Sequence, residues 1–269
     1  MEHLFADWAK VSRQLKEARH ILLLADYDGT LTPIVERPEL AELPEETRRV
    51  LRTLAAQRRF TVGIISGRSL SDLQGKVRLE NIIYAGNHGM EIEGPGLSYV
   101  SPLARELRPV LQLIHRVLSK VLSTIRGVLV EDKGLTLSVH YRMVPPEKAG
   151  EVKTTVEQVC GQAQAAGKVR LTQGKKVYEV RPAIDWHKGK TLELLIEKYG
   201  QQYGQPLVIY LGDDLSDEDG FQAIEDYGNG ISVFIGEERG VSRARYFLRS
   251  PSEVSEALNR LSQIALRTH

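Results

Sequence analysis

The chain has 269 residues, 42% of them hydrophobic and 26% charged, and a net charge of +1. That length accommodates one large core or a core with a smaller companion, and the near-neutral balance gives no general attraction to nucleic acid or acidic membranes, so neither is expected as a partner. A single cysteine, Cys160, excludes an intrachain disulfide and points to a reducing compartment.

At the N-terminus, MEHLFADWAKVSRQLKEAR has charges throughout and no apolar run, so no signal peptide or membrane span is expected there and a cytoplasmic location is. Short apolar runs of strand length then alternate with helical patterns: HILLLA at 20–25, an amphipathic stretch at 44–58, FTVGII at 60–65 and NIIYA at 81–85. The middle of the chain reads differently. A long helix is expected over 103–124, an antiparallel hairpin in GVLVEDKGLTLSVHYR around Lys133-Gly134, a second helix over 146–166, and a strand pair, KVRLTQ and KKVYEVR, across Gly174. The first pattern returns with a helix over 188–199, strands LVIYLG at 207–212 and ISVFI at 231–235, and RARYFL as an edge strand. The expected fold is α/β: a core of 1–102 and 184–269, with a parallel sheet flanked by helices, and an inserted smaller α/β unit, 103–183. Ligands of open parallel sheets sit beyond the carboxyl ends of the strands, so the polar residues closing each run carry the functional reading.

The first run delivers Asp26 and Asp28 in DYDGT, where acids are costly to bury unless a metal, a capped turn or a catalytic pairing meets them. An EF-hand opening at Asp26 is excluded, because Thr30, Leu31 and Arg37 stand where that loop needs Asp or Asn, Gly and Glu. A second acidic cluster, Asp213, Asp214, Asp217, Glu218 and Asp219, follows VIYLG. Such like-charge density calls for a cation, and oxygen ligands together with waters and a phosphate suit Mg2+. The two clusters meet if their strands are neighbours in one sheet. Ser66 and Gly67 in GIISGRS lie between a strand and a helix, where a hydroxyl and backbone N–H groups can hold phosphate oxygens, and Lys188 opens another helix with a compact ammonium.

The ordered set D-x-D-G-T, S-G-R, K-G and G-D-D-x-x-D, interrupted between its second and third members, resembles the haloacid dehalogenase superfamily of phosphotransferases. The stretches YAGNHGMEI, TQGKKVYEVRP and GDDLSDEDGF are similar to the trehalose-6-phosphate phosphatase family within it. The resemblance implies a Rossmann-like core with an inserted C2-type cap and Mg2+ as cofactor. It implies hydrolysis of trehalose 6-phosphate to trehalose through an aspartyl-phosphate. Asp26 is then the nucleophile and Asp28 the acid/base, with Mg2+ held by Asp26, the backbone carbonyl of Asp28, and Asp213. Lys188 and Ser66, with Thr30 and Gly67 beside them, hold the phosphoryl oxygens, while Asp214 and Asp217 orient Lys188 or metal-bound waters.

Sugar recognition is expected mainly from the inserted unit. Glu131 and Lys133 share a strand face, as do His140 and Arg142, and Lys175 and Glu179; charged side chains form strong hydrogen bonds to sugar hydroxyls. Without the resemblance, such charges read as the solvent face of a sheet. With it, Glu131, Lys133, Arg142, Lys175 and Glu179 are the sugar-binding set, joined from the core by Arg68, Asn87 and His88. The substrate is a small-molecule sugar phosphate; sucrose phosphate, glucosyl- or mannosylglycerate phosphate and hexose phosphates are the alternatives, and a non-catalytic sugar-phosphate sensor is the third reading. No glycosyltransferase domain fits beside this core and cap, so a separate trehalose-6-phosphate synthase is the expected source of substrate.

Overall fold

Runs of aliphatic residues too short for helices, and buried on both faces, form the middle of a parallel sheet. In this computed structural model, which describes residues 1–174, 176–237 and 242–267, β1 (Glu2–His3) and α1 (Trp8–Glu17) precede β2 (Ile21–Ala25), every residue of which is buried. Then come α2 (Glu45–Ala55), β3 (Phe60–Ile65), α3 (Leu70–Val77), β4 (Ile83–Gly86), β5 (Glu91–Gly94) and β6 (Leu97–Val100). The inserted segment supplies α4 (Pro102–Leu122), β7 (Leu129–Asp132), β8 (Leu137–His140), α5 (Ala149–Ala165), β9 (Val169–Gly174) and β10 (Val177–Pro182). The first pattern resumes with α6 (Lys188–Tyr203), β11 (Leu207–Gly212), α7 (Glu218–Tyr227), β12 (Gly230–Ile235), β13 (Tyr246–Leu248) and α8 (Pro251–Arg267). The chain divides into one unit of Met1–Ser98 with Trp186–His269 and another of Tyr99–Asp185.

The larger sheet runs β1-β13-β12-β11-β2-β3-β4-β5-β6. It is parallel from β1 to β4, and β5 turns antiparallel. β2 lies between β3 and β11, so the strand order reverses there and the carboxyl ends of these three strands flank a crevice. The stretch RARYFL, expected at the sheet edge, is covered: Glu2 and His3 pair with Tyr246 and Phe247, a strand too short to announce itself by periodicity. Leu23, Val62, Ile209, Val233 and Leu258 belong to one buried cluster of this unit, each contributing about 1.5 to 3 kcal/mol by burial. No helix among the described residues is long and apolar enough to cross a membrane.

His20, just before β2, is buried, stacked on Tyr203 with ring centroids 3.6 Å apart, and its Nε2 lies 2.9 Å from the Thr61 hydroxyl. Burial lowers its pKa from 6.5 to about 4. A histidine whose folded pKa is depressed contributes stability above its unfolded pKa and loses it as pH falls through 6.5 towards 4. The wild-type thermal midpoint should therefore fall over that window more steeply than that of His20→Gln. Parallel curves would show that His20 does not carry this loss.

The smaller unit has a four-stranded sheet, β7-β8-β10-β9, antiparallel throughout. Leu111, Ile114 and Leu118 of α4 and Val152, Val156 and Cys160 of α5 form an apolar cluster with Leu137, Val139, Tyr178 and Val180. Strand alternation sends the intervening residues to the other face, where Glu131 and Glu179 both register with Ser138.

Candidate active site

The two acidic clusters meet because β2 and β11 are hydrogen-bonded neighbours: Leu211 is level with Ala25, and the Asp26 amide donates to the Leu211 carbonyl at 2.8 Å. Past Asp26 the chain turns tightly. The Tyr27 carbonyl accepts from the amides of Leu31 and Thr32 and from the Thr32 hydroxyl. DYDGT thus closes on its own backbone instead of capping a helix. Gly29, at φ +89°, allows this turn, and it also leaves the space that the Asp213 carboxylate fills: a Cβ there would lie 2.1 Å from Asp213 Oδ2.

One oxygen from each of Asp26, Asp213 and Asp217 lies within 4.8 Å of the others. Burial first, and then the carboxylates of Asp217, Asp213 and Asp214, push the Asp26 carboxyl well above the usual range, against the pull of Lys188. A divalent cation fits the Asp26 and Asp213 members of this group: their hard carboxylate oxygens converge and their like charges need compensation, while the Asp217 oxygens are taken up by protein donors. The Thr30 hydroxyl, 3.5 Å from Asp213 Oδ1, aligns that carboxylate.

Lys188, at the N-terminus of α6 and 3% exposed, places Nζ 2.8 Å from Asp26 Oδ1 and 2.7 Å from Asp217 Oδ1. Burial alone would lower its pKa, but Asp217 and Asp26 raise it well above the ordinary value, so it stays an ammonium. Asp217 is fully buried; its Oδ2 accepts the amides of Asp213 at 3.0 Å and Asp214 at 3.1 Å, and its Oδ1 also accepts the Tyr210 hydroxyl. Asp214 accepts the Ser216 amide and hydroxyl. Burial works to raise its carboxyl, yet Lys188, Ser216 and His88 together hold it below the usual carboxylate range.

The next strand ends complete the crevice. Ser66, buried after β3, accepts the Arg68 amide at its hydroxyl, and its carbonyl accepts the His88 amide at 2.8 Å. Asn87, His88 and Gly89 have successive positive φ values of 49°, 59° and 88°. This strained turn presses the His88 ring against Gly67, where a Cβ would lie 2.7 Å from His88 Cε1, and Thr191 ties the His88 carbonyl to α6 at 3.3 Å. Asn87 and His88 thus stand beside the Ser66–Gly67 loop. Arg68 forks onto both oxygens of Asp28, at 2.7 and 2.6 Å, and reaches Asp72 at 2.6 Å. Its guanidinium is thus engaged with the neighbouring acids.

In the smaller unit, Glu131 meets His140 at 2.9 Å and Lys133 meets Glu179 at 3.7 Å. Arg142 is exposed beyond the end of β8, and Lys175 lies outside the described residues. Tyr210 and Asp72 entered from the structure alone. The signal for Tyr210 was a lone phenol in an otherwise aliphatic strand, whose hydroxyl must find a partner once buried.

A parallel α/β core with paired aspartates, a serine and a second acidic cluster at strand ends, and a lysine at the start of α6, defines a phosphatase of the haloacid dehalogenase type. A haloacid dehalogenase-like hydrolase from Bacteroides thetaiotaomicron shares the fold, with a TM-score of 0.62 at 19% identity over 90% of this chain and 99% of that one. The family description "Trehalose-phosphatase" matches residues 24–252, and the chain belongs to the trehalose-phosphatase family. It is 35% identical over 262 residues to trehalose-phosphate phosphatase B of Arabidopsis thaliana, covering 94% of this chain and 69% of that protein. The C-terminal domain of C. albicans trehalose-6-phosphate phosphatase superposes with a TM-score of 0.80 at 25% identity, over 95% of this chain and 96% of that one.

Proposed function

We propose that the chain hydrolyses trehalose 6-phosphate to trehalose and phosphate, with Mg2+ as cofactor and a covalent intermediate on Asp26. The observation that carries this reading is Lys188 Nζ bridging Asp26 and Asp217 at the ends of adjacent strands, in a chain of this family.

In the first half-reaction an Asp26 carboxylate oxygen attacks phosphorus, the bond to the sugar oxygen breaks, and Asp28 gives that oxygen its proton. In the second, Asp28 takes a proton from water as the water oxygen attacks phosphorus, and the bond to Asp26 breaks to release phosphate. Splitting one displacement in two lowers each barrier, and a positioned acid/base adds about 100- to 10,000-fold. Lys188 and Ser66, with the Gly67 amide, bind the phosphoryl oxygens. Arg68 orients Asp28, Asp217 orients Lys188, and Thr30 orients Asp213.

Asp26, the Asp28 carbonyl and Asp213 would hold Mg2+, which when bound neutralises charge between the carboxylate and the phosphate dianion. The polar sheet face bearing Glu131, Lys133 and Glu179 is the proposed sugar reader of the smaller unit; Arg142 and Lys175 are proposed from the sequence as further sugar-binding residues, as are Asn87 and His88 of the core. The reaction is placed in the cytoplasm, fed by a separate synthase.

Phosphate release from trehalose 6-phosphate, sucrose 6-phosphate, glucose 6-phosphate and glucosylglycerate phosphate, with Mg2+ or with EDTA, tests the reading. Preference for trehalose 6-phosphate that EDTA abolishes is the expected result. Preference for another sugar would overturn the substrate assignment, and release from none would favour a sensor.

A further inference from the structure

We propose that Tyr210 is a positioning residue for phosphoryl transfer: its hydroxyl, sharing Asp217 Oδ1 with Lys188, keeps the ammonium of Lys188 centred between Asp217 and Asp26. The inference rests on the reading above for the roles of Asp26 and Lys188.

Asp217 has two oxygens and about four acceptor positions, and all are used: two backbone amides on Oδ2, and Lys188 with Tyr210 on Oδ1. A fully buried carboxylate held by four donors has no rotational freedom. Without the phenol, Oδ1 keeps Lys188 as the donor already in contact, at 2.7 Å. The ammonium then settles deeper on Asp217 and withdraws from Asp26, where charge develops during transfer.

Packing does not account for the hydroxyl. The ring is fully buried, its centroid lies 5.7 Å from that of Phe221, and a Cβ on Gly220 would come within 2.4 Å of Cε1. Phenylalanine would satisfy all of these contacts, whereas a hydroxyl taken out of water is costly unless it is bonded. Burial, and then the negative charge of Asp217, push the phenol well above its usual pKa, so it remains a donor.

The test uses the full chain with Mg2+ and compares wild type, Tyr210→Phe, Asp217→Asn and the double variant. Steady-state turnover of trehalose 6-phosphate is measured alongside calorimetric binding of orthovanadate and of inorganic phosphate. Tyr210→Phe should lower kcat about 10- to 100-fold, with KM within about threefold. Orthovanadate, which mimics the transition state, should bind about 10-fold more weakly while inorganic phosphate stays within about threefold. In the Asp217→Asn background the same substitution should add less than about threefold to either loss, because Tyr210 acts through that carboxylate. A Tyr210→Phe enzyme with wild-type kcat and vanadate affinity would overturn the inference, as would losses that multiply with those of Asp217→Asn. If the wild type releases no phosphate from trehalose 6-phosphate, the substrate reading fails, and the vanadate comparison still decides the role of Tyr210.

Discussion

Asp26→Asn should abolish phosphate release, by at least about 10,000-fold, and yet stabilise the metal-free fold. An amide cannot form the acyl phosphate, and removal of a covalent nucleophile is not compensated by the groups that remain. The same change removes one of three carboxylates gathered within 4.8 Å, while its amide oxygen can still accept from Lys188. Because the Asp26 carboxyl is held well above 3.8 by burial and its acidic neighbours, its charged form costs the folded state more as pH rises. The variant's advantage should be absent below the unfolded carboxylate pKa and grow towards neutrality. Thermal melts in EDTA across that range read the stability, and phosphate release in Mg2+ reads the activity. Residual turnover within about 100-fold of wild type would remove Asp26 from the nucleophile's place.

Lys188→Met should fail on both counts. Its side chain is 3% exposed between two carboxylates that are themselves buried, and deleting one partner of a buried ion pair leaves uncompensated charge that costs about 3 to 5 kcal/mol. Turnover should fall at least about 1,000-fold, because the ammonium facing the transferring phosphoryl group is gone. Adding Asp26→Asn to Lys188→Met should return part of the stability and none of the activity. A single variant that melts at the wild-type temperature would mean that Lys188 does not balance these acids.

How much of this was legible in the sequence depends on the kind of information required. The aliphatic runs at 20–25, 60–65, 207–212 and 231–235 became β2, β3, β11 and β12 with small shifts at their ends, because an uninterrupted buried strand is a local property. Asp26 and Asp213 could be expected to meet only on the condition that their strands are neighbours, which is a property of topology. β1 was not legible, since two residues carry no period, and neither were β5 and β6 as part of the larger sheet. Arg68 illustrates a different limit. From its position beside Ser66 it could contact substrate or pair with an acid, and sequence spacing does not say where so long a side chain ends; in the structure it crosses to Asp28. Tyr210 was hidden for the opposite reason: in a run such as VIYLG, a phenol counts as apolar until its hydroxyl is given a partner.

The contact of Asp213 with Gly29 has a consequence for how the molecule is born. The two positions are separated by the whole of the insertion and much of the core, and at about 5 to 20 residues per second the ribosome needs roughly 10 to 40 seconds to travel between them. During that interval β2, every side chain of which is buried in the finished fold, has β3 on one side and an open edge on the other. The inserted unit, whose sheet is contiguous in the chain, has all its strands before β11 emerges. The nascent protein thus passes through a stage in which every strand of the inserted unit has emerged while β2 is still paired along one edge only.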